Sequence, residues 1–249
     1  MPGFEEEVKH NFESFTAGWK HELSTIQASL DTSEREFLNS YKRLTSINSW
    51  RELLIRNEVS EESCRFFSEA QNDGVSSHVL ARLGSWRAAL KCLRSCMENV
   101  VFCEYYRDHP IELRLWAKGK HRLGFSEAIS YFQKHPDLER VPDELTGLGR
   151  MQKEYSVLSR AVHASAHNLR MTVRDGNTNL WSSESAKLAM WITRETQTII
   201  AVNLLLLALH SKSLQGTSLP GLRKAIAVTI TSANLRNKIR SKFSVNLDI

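Results

Sequence analysis

The 249-residue chain is poor in the residues that break helices. It holds eleven glycines and five prolines, and no strand–turn–strand rhythm punctuates it. A sandwich or barrel with frequent tight turns is thereby excluded, and apolar residues recurring every three or four positions predict an all-α fold. Four cysteines are too few and too poorly spaced for a disulfide framework. Cys92, Cys96 and Cys103 fall on one face of a predicted helix and read as buried thiols. No Cys-x-x-Cys pair is present to hold zinc, even with His109 nearby, so no metal and no cofactor is expected. The longest oily run, Ile199 to Leu209, is interrupted by Asn203 and is far shorter than the ~20 apolar residues a bilayer requires. The opening Met1-Pro-Gly-Phe-Glu-Glu-Glu has the wrong charge for a secretory signal. A cytoplasmic protein with no membrane contact is the expectation.

Acidic residues are scarce after residue 205. There Lys212, Arg223, Lys224, Arg236, Lys238, Arg240 and Lys242 face one carboxylate, Asp248, and they account for much of the net charge of +5. Such a basic segment can follow a nucleic-acid backbone or serve as a solvated face.

What the chain does have is helical periodicity. Phe4, Val8, Phe12, Phe15, Trp19, Leu23, Ile26 and Leu30 form one continuous apolar edge. Asp31-Thr32-Ser33 ends that helix, and Ser33 with Glu36 forms a capping-box pattern for a second helix to about Leu44. Short helices are expected over 49–56 and 60–69. Gln71-Asn-Asp-Gly74 is the candidate boundary between an N-terminal lobe or dimerisation arm (1–74) and a second helical domain (75–249). A long helix over 78–106 follows, stopped by His109-Pro110. Shorter helices are expected over 110–116 and 126–134. Asp143 is placed as the cap of the next long helix. Arg174 to Asn179 is a turn cluster, 183–211 the oiliest helix and 220–243 the last.

The stretch Tyr155 to Arg174 carries the functional signal. On a helix, Tyr155, Leu158, Val162, Ala166, Leu169 and Val173 form an apolar stripe. Arg160, His163, His167, Arg170 and Arg174 form a cationic stripe beside it. Arginine forks bind phosphate oxygens, and histidine carries protons near neutrality. RNA cleavage without a metal needs a deprotonated 2′-hydroxyl, a stabilised phosphorane charge and a protonated 5′-oxygen. Arg160, His163 and His167 lie one turn apart and reach one site. No Asp/Glu cluster accompanies them, as metal-dependent hydrolysis would require. Tyr155 reads as core.

The combination of Arg82-x4-Arg87 and Arg94-x3-Glu98 on one helix, with Tyr155-x2-Leu158-Ser159-x2-Val162-His163-x-Ser165 later, resembles the HEPN superfamily of helical nucleotide-binding domains over residues 76–212. The resemblance implies a helical bundle, a homodimer and a signature of Arg, four to six residues, then His. Many such proteins are metal-independent endoribonucleases of phage-defence and toxin–antitoxin systems; others are non-catalytic binding or assembly modules. On this resemblance Arg160 with His167, six residues between them, or else His163, would be catalytic. Arg160 with Arg170 would hold the scissile phosphate, with Arg174, Arg82 and Arg87 as further phosphate-binding residues; Ala161 stands where a polar residue often follows the motif arginine. In the His163 alternative Leu158 stands where the arginine belongs, and the cation would come from Arg160, Arg82, Arg87 or Arg94. RNA is the expected substrate, with an antitoxin or defence protein as a possible partner. The competing expectation is a non-catalytic module whose cationic stripe holds a protein or nucleotide.

Overall fold

In the computed structural model, which describes residues 3–162 and 180–248, the chain is all-helical and no strand occurs among the described residues. The helices are α1 (Phe4–Asp31), α2 (Glu34–Trp50), α3 (Arg56–Glu58), α4 (Glu61–Arg82), α5 (Trp86–Asp108) and α6 (Pro110–Ala117). They continue with α7 (Phe125–Phe132), α8 (Asp143–Thr146), α9 (Leu148–Val162), α10 (Ser185–His210), α11 (Pro220–Thr229) and α12 (Ala233–Phe243). A π-helical turn, Arg51–Ile55, joins α2 to α3.

Helix α5 is the hub. It packs lengthwise on α4 and also touches α7, α9 and α10, while α2 closes the other side against α4, α10 and α11. Trp86, Leu90, Leu93, Met97, Val100 and Val101 form its buried edge, as their three-and-four spacing requires. One connected cluster of buried apolar residues extends from Ile26 to Leu247. Cys96 and Cys103 lie in it, where burial pushes both thiols up.

Four local expectations are overturned. The first is the break at Gln71–Gly74, which α4 traverses as unbroken helix. Gln71 donates to Asn48 and Asp73 accepts from Asn99, so the polar side chains that suggested a turn find tertiary partners instead. Gly74 is there for contact: a Cβ would lie 3.0 Å from Leu44 Cδ2. The proposed division at 74/75 thus falls inside a helix.

The second is the single helix over 78–106, which breaks at Leu83-Gly84-Ser85. Gly84 has φ +69°, and a Cβ on it would meet the Ser182 carbonyl at 2.5 Å. Only glycine permits both that conformation and that approach.

The third is the capping box at Ser33, whose side chain makes no cap hydrogen bond. The last is the final helix, which splits at Ile230–Ser232; Ser232 Oγ accepts from the Leu235 amide at 3.4 Å and starts α12. Asp143 does cap the stripe-bearing helix, but from within the short α8: its Oδ1 accepts from the Gly149 amide at 3.2 Å.

Ser185–Leu214 is long and apolar enough to cross a membrane by length and composition, with a mean hydropathy of 1.3, and 61% of its apolar window is buried inside the protein.

Candidate functional site

The last described turn of α9, where the cationic stripe begins, lies over the first turn of α5. Arg87 fastens it: Nε donates to the Ala161 carbonyl (2.9 Å) and Nη2 to that of Val162 (3.0 Å). Charge-assisted hydrogen bonds to two successive carbonyls hold this part of α9 against α5. Two of the Arg87 donors expected to grip a phosphate are therefore already engaged with main chain.

Two turns further along α5, Arg94 forms an ion pair with Glu98 at 3.1 Å, donates to the Tyr155 hydroxyl at 2.6 Å and lies 4.6 Å from the centre of its ring. The Tyr155 hydroxyl donates to Glu98 (3.0 Å), and the ring stacks on Phe125 at 4.0 Å. Tyr155 is part of the packing between α5, α7 and α9, as its place on the apolar stripe implies. Arg82 sits apart at the end of α4, paired with Asp31 at 3.3 Å and 5.5 Å from the Phe37 ring. It belongs to the contact of α4 with α1 and α2.

Arg160 differs from all of these. It is exposed on the last described turn of α9 and has no hydrogen bond or ion pair among the described residues. His163, His167, Arg170 and Arg174 lie outside the described residues, as does the turn cluster Arg174–Asn179. On the far side of the same region, the chain is tied down again at Ser182. Its carbonyl accepts from Trp86 Nε1 (2.8 Å), and its amide donates to the Gly84 carbonyl (3.1 Å).

Two buried charged networks carry no signature in the sequence. In the first, Glu195 on α10 accepts from Arg43 (Nε, 2.7 Å) and Ser40 (3.2 Å), and Ser40 Oγ lies 3.1 Å from His78 Nδ1. Burial outweighs the Arg43 charge and pushes the Glu195 carboxyl up to about 7. Burial, with Arg82 and Arg43 nearby, holds His78 below its ordinary value.

In the second network His210, at the end of α10, is 4% exposed and lies between two carboxylates. Nδ1 meets Glu58 at 2.7 Å, and Nε2 meets Glu104 at 3.1 Å. Burial opposes its charge. The Glu104 carboxylate and the hydrogen bonds to Glu104 and Glu58 overcome that opposition, and the imidazole rises to about 9. Arg107 pairs with Glu104 (2.7 Å) and Asp108 (3.0 Å), and Asp108 accepts from Tyr131 (3.0 Å) and faces His135 (3.2 Å).

These networks brace helices. No group of three His, Cys, Asp or Glu suited to a metal ion occurs among the described residues. The contacts that join distant helices, Glu195 to Arg43 and Ser40 and His210 to Glu58 and Glu104, link residues more than a hundred positions apart, so no local spacing could have marked them.

The basic C-terminal segment divides in two. Arg236 pairs with Asp248 (3.2 Å), Lys238 with Glu144 (2.7 Å), and buried Arg223 donates to the Gly216 carbonyl (2.9 Å). Lys212, Lys224, Arg240 and Lys242 have no such partner among the described residues. Lys212 and Lys242 line a cavity of about 210 Å³ with Arg140 and Asp137, floored by Val141 and Phe243.

No protein-family model, no curated protein and no solved structure matches the chain.

Proposed function

We propose that the protein is a homodimeric, metal-independent endoribonuclease of HEPN-like design. Arg160 steadies the scissile phosphate, and His163 or His167 moves the proton between the 2′-hydroxyl and the leaving 5′-oxygen. The observation that carries this reading is the contrast among arginines. Arg43, Arg94, Arg107 and Arg194 are each paired with a carboxylate, whereas Arg160 is exposed and has no acidic partner among the described residues. A module that used its cationic stripe for internal bracing would tie Arg160 to its own carboxylates. A site that receives a phosphodiester leaves the guanidinium fork open. Lys212, Lys242 and Arg140, without partners among the described residues, suit the backbone of a longer RNA.

Internal attack by the 2′-hydroxyl leaves a 2′,3′-cyclic phosphate and a 5′-hydroxyl, so a DNA strand is not a substrate. The test is incubation of the purified protein with mixed RNA in EDTA, alongside Arg160→Ala, His163→Ala and His167→Ala. Cyclic-phosphate ends should appear with the wild type and fall at least about a hundredfold with Arg160→Ala and one histidine variant. A folded dimer that leaves the RNA intact overturns the reading in favour of a binding module.

A further inference from the structure

The apolar edge of α1 has an 11-residue period, steps of four, four and three repeated from Phe4 to Ile26, which keeps it on one side of a nearly straight helix. Its second half is used within the chain: Leu30 is 3% exposed, Ile26 8%, and Trp19 packs 6.0 Å from Trp181. The first half is not, among the described residues. Phe4 is 79% exposed, Val8 49%, Phe12 65% and Phe15 57%. Taking about 200 Å² for a fully exposed phenylalanine, the four side chains present roughly 400–500 Å² of continuous apolar surface. A patch of that size on a lone chain marks an interaction surface.

The charges beside the edge select the occupant. Residues 4–23 carry Glu5, Glu6, Glu7, Glu13 and Glu22 against Lys9 and Lys20. An acidic helix is repelled by RNA and by anionic lipid, and helices that lie on membranes carry lysine and arginine on their polar face. The same charges suit a reversed copy of the segment. Run antiparallel, the spacing sets Phe4 against Trp19 of the second copy, Val8 against Phe15, and Phe12 against its own equivalent at the two-fold axis. Glu5 then lies along the same edge as Lys20 of the second copy. A parallel pair would instead crowd two sets of Glu5, Glu6 and Glu7 and two positive helix ends together.

We propose that the first half of α1 is a homodimerisation arm that pairs antiparallel with the same segment of a second copy. Two such faces bury roughly 900 Å² of apolar side chain, close to the ~1,000 Å² of a specific interface before the flanking stems are counted. The inference rests on the homodimeric part of the proposed function and not on its chemistry.

Light scattering on the full chain over a concentration series should give the mass of two 28.5 kDa chains. Phe12→Glu should give one chain with an unchanged far-ultraviolet spectrum, because Phe12 supports nothing inside its own fold. With Cys64 and Cys92 changed to serine, Phe12→Cys should cross-link on oxidation and Phe4→Cys should not. A monomeric wild type, a dimer that survives Phe12→Glu, or equal cross-linking at both positions overturns the proposal. So does a monomer that binds anionic phosphatidylglycerol vesicles through this face. RNA cleavage is read separately: an inactive wild type that dimerises through α1 retains this inference and removes the ribonuclease, while cleavage by a monomer does the reverse.

Discussion

The two longest helices, α1 and α10, solve opposite problems. Helix α10 is buried along most of its length, yet it carries Glu195, Asn203 and His210 into the core, each with its hydrogen-bonding groups engaged. Asn203 accepts from Trp50 Nε1 (2.9 Å) and donates to Ser46 (2.9 Å) and the Ile199 carbonyl (2.8 Å). Helix α1 has its polar groups in water and leaves three phenylalanines there too. Unmatched polar groups inside and unmatched apolar groups outside both cost free energy, but only the second can be repaired by another molecule. The contrast separates a helix that organises its own chain from one equipped to meet a second.

The sharpest way to break that contrast is at Glu104, which is fully buried against His210 and Arg107. Glu104→Ala strands two cations and should cost about 3–5 kcal/mol in urea unfolding. A loss below about 1 kcal/mol would show that the α10 network is solvated.

Next in size is pH. His210 is held above its unfolded value of 6.5, at about 9, so its contribution is complete below about 6.5 and is lost as pH rises through 9; the shift corresponds to roughly 3 kcal/mol. Glu195, raised from 4.5 to about 7, acts in the same direction between those values. Glu58 and Asp108, held low through His210 and through Arg107 against their burial, act the other way and lose their contribution in acid. The thermal midpoint should therefore peak near about pH 5–6.5 and decline to pH 9, and His210→Gln should flatten the alkaline decline. A midpoint that rises between pH 6.5 and 9 contradicts the assignment.

Asn203→Ala should cost about 1–3 kcal/mol, because it leaves the Trp50 indole N–H without an acceptor in the core. Smallest of all, Phe12→Ser in α1 should change chemical stability of the single chain by no more than about 0.5 kcal/mol. If it unfolds the protein, the exposed edge is not exposed in solution.

Much of this was legible in the sequence where one helix settles its own fate. The limits of α1 follow from its stepped apolar edge and Asp31-Thr32-Ser33, and Pro110 marks the start of α6. Legibility failed where a distant residue decides. Gly74, read as a break, is a packing contact inside a helix, and Gly84, read as helix interior, is a left-handed turn; the difference lies with Leu44 and Ser182. Of the candidate site, Tyr155 in the packing and Arg160 as exposed accord with their stripes. The main-chain partners of Arg87 and the Asp31 partner of Arg82 could not be read from spacing.

The turn between α4 and α5 has a topological consequence. Arg87 holds Ala161 and Val162, while Gly84 and Trp86 hold Ser182. The chain thus leaves α9 and comes back toward α10 through two stitches sewn into one short seam. Both ends of that stretch are therefore anchored to the same few residues of one turn, so Gly84→Ala would loosen the entry to α10 and Arg87→Ala the exit from α9.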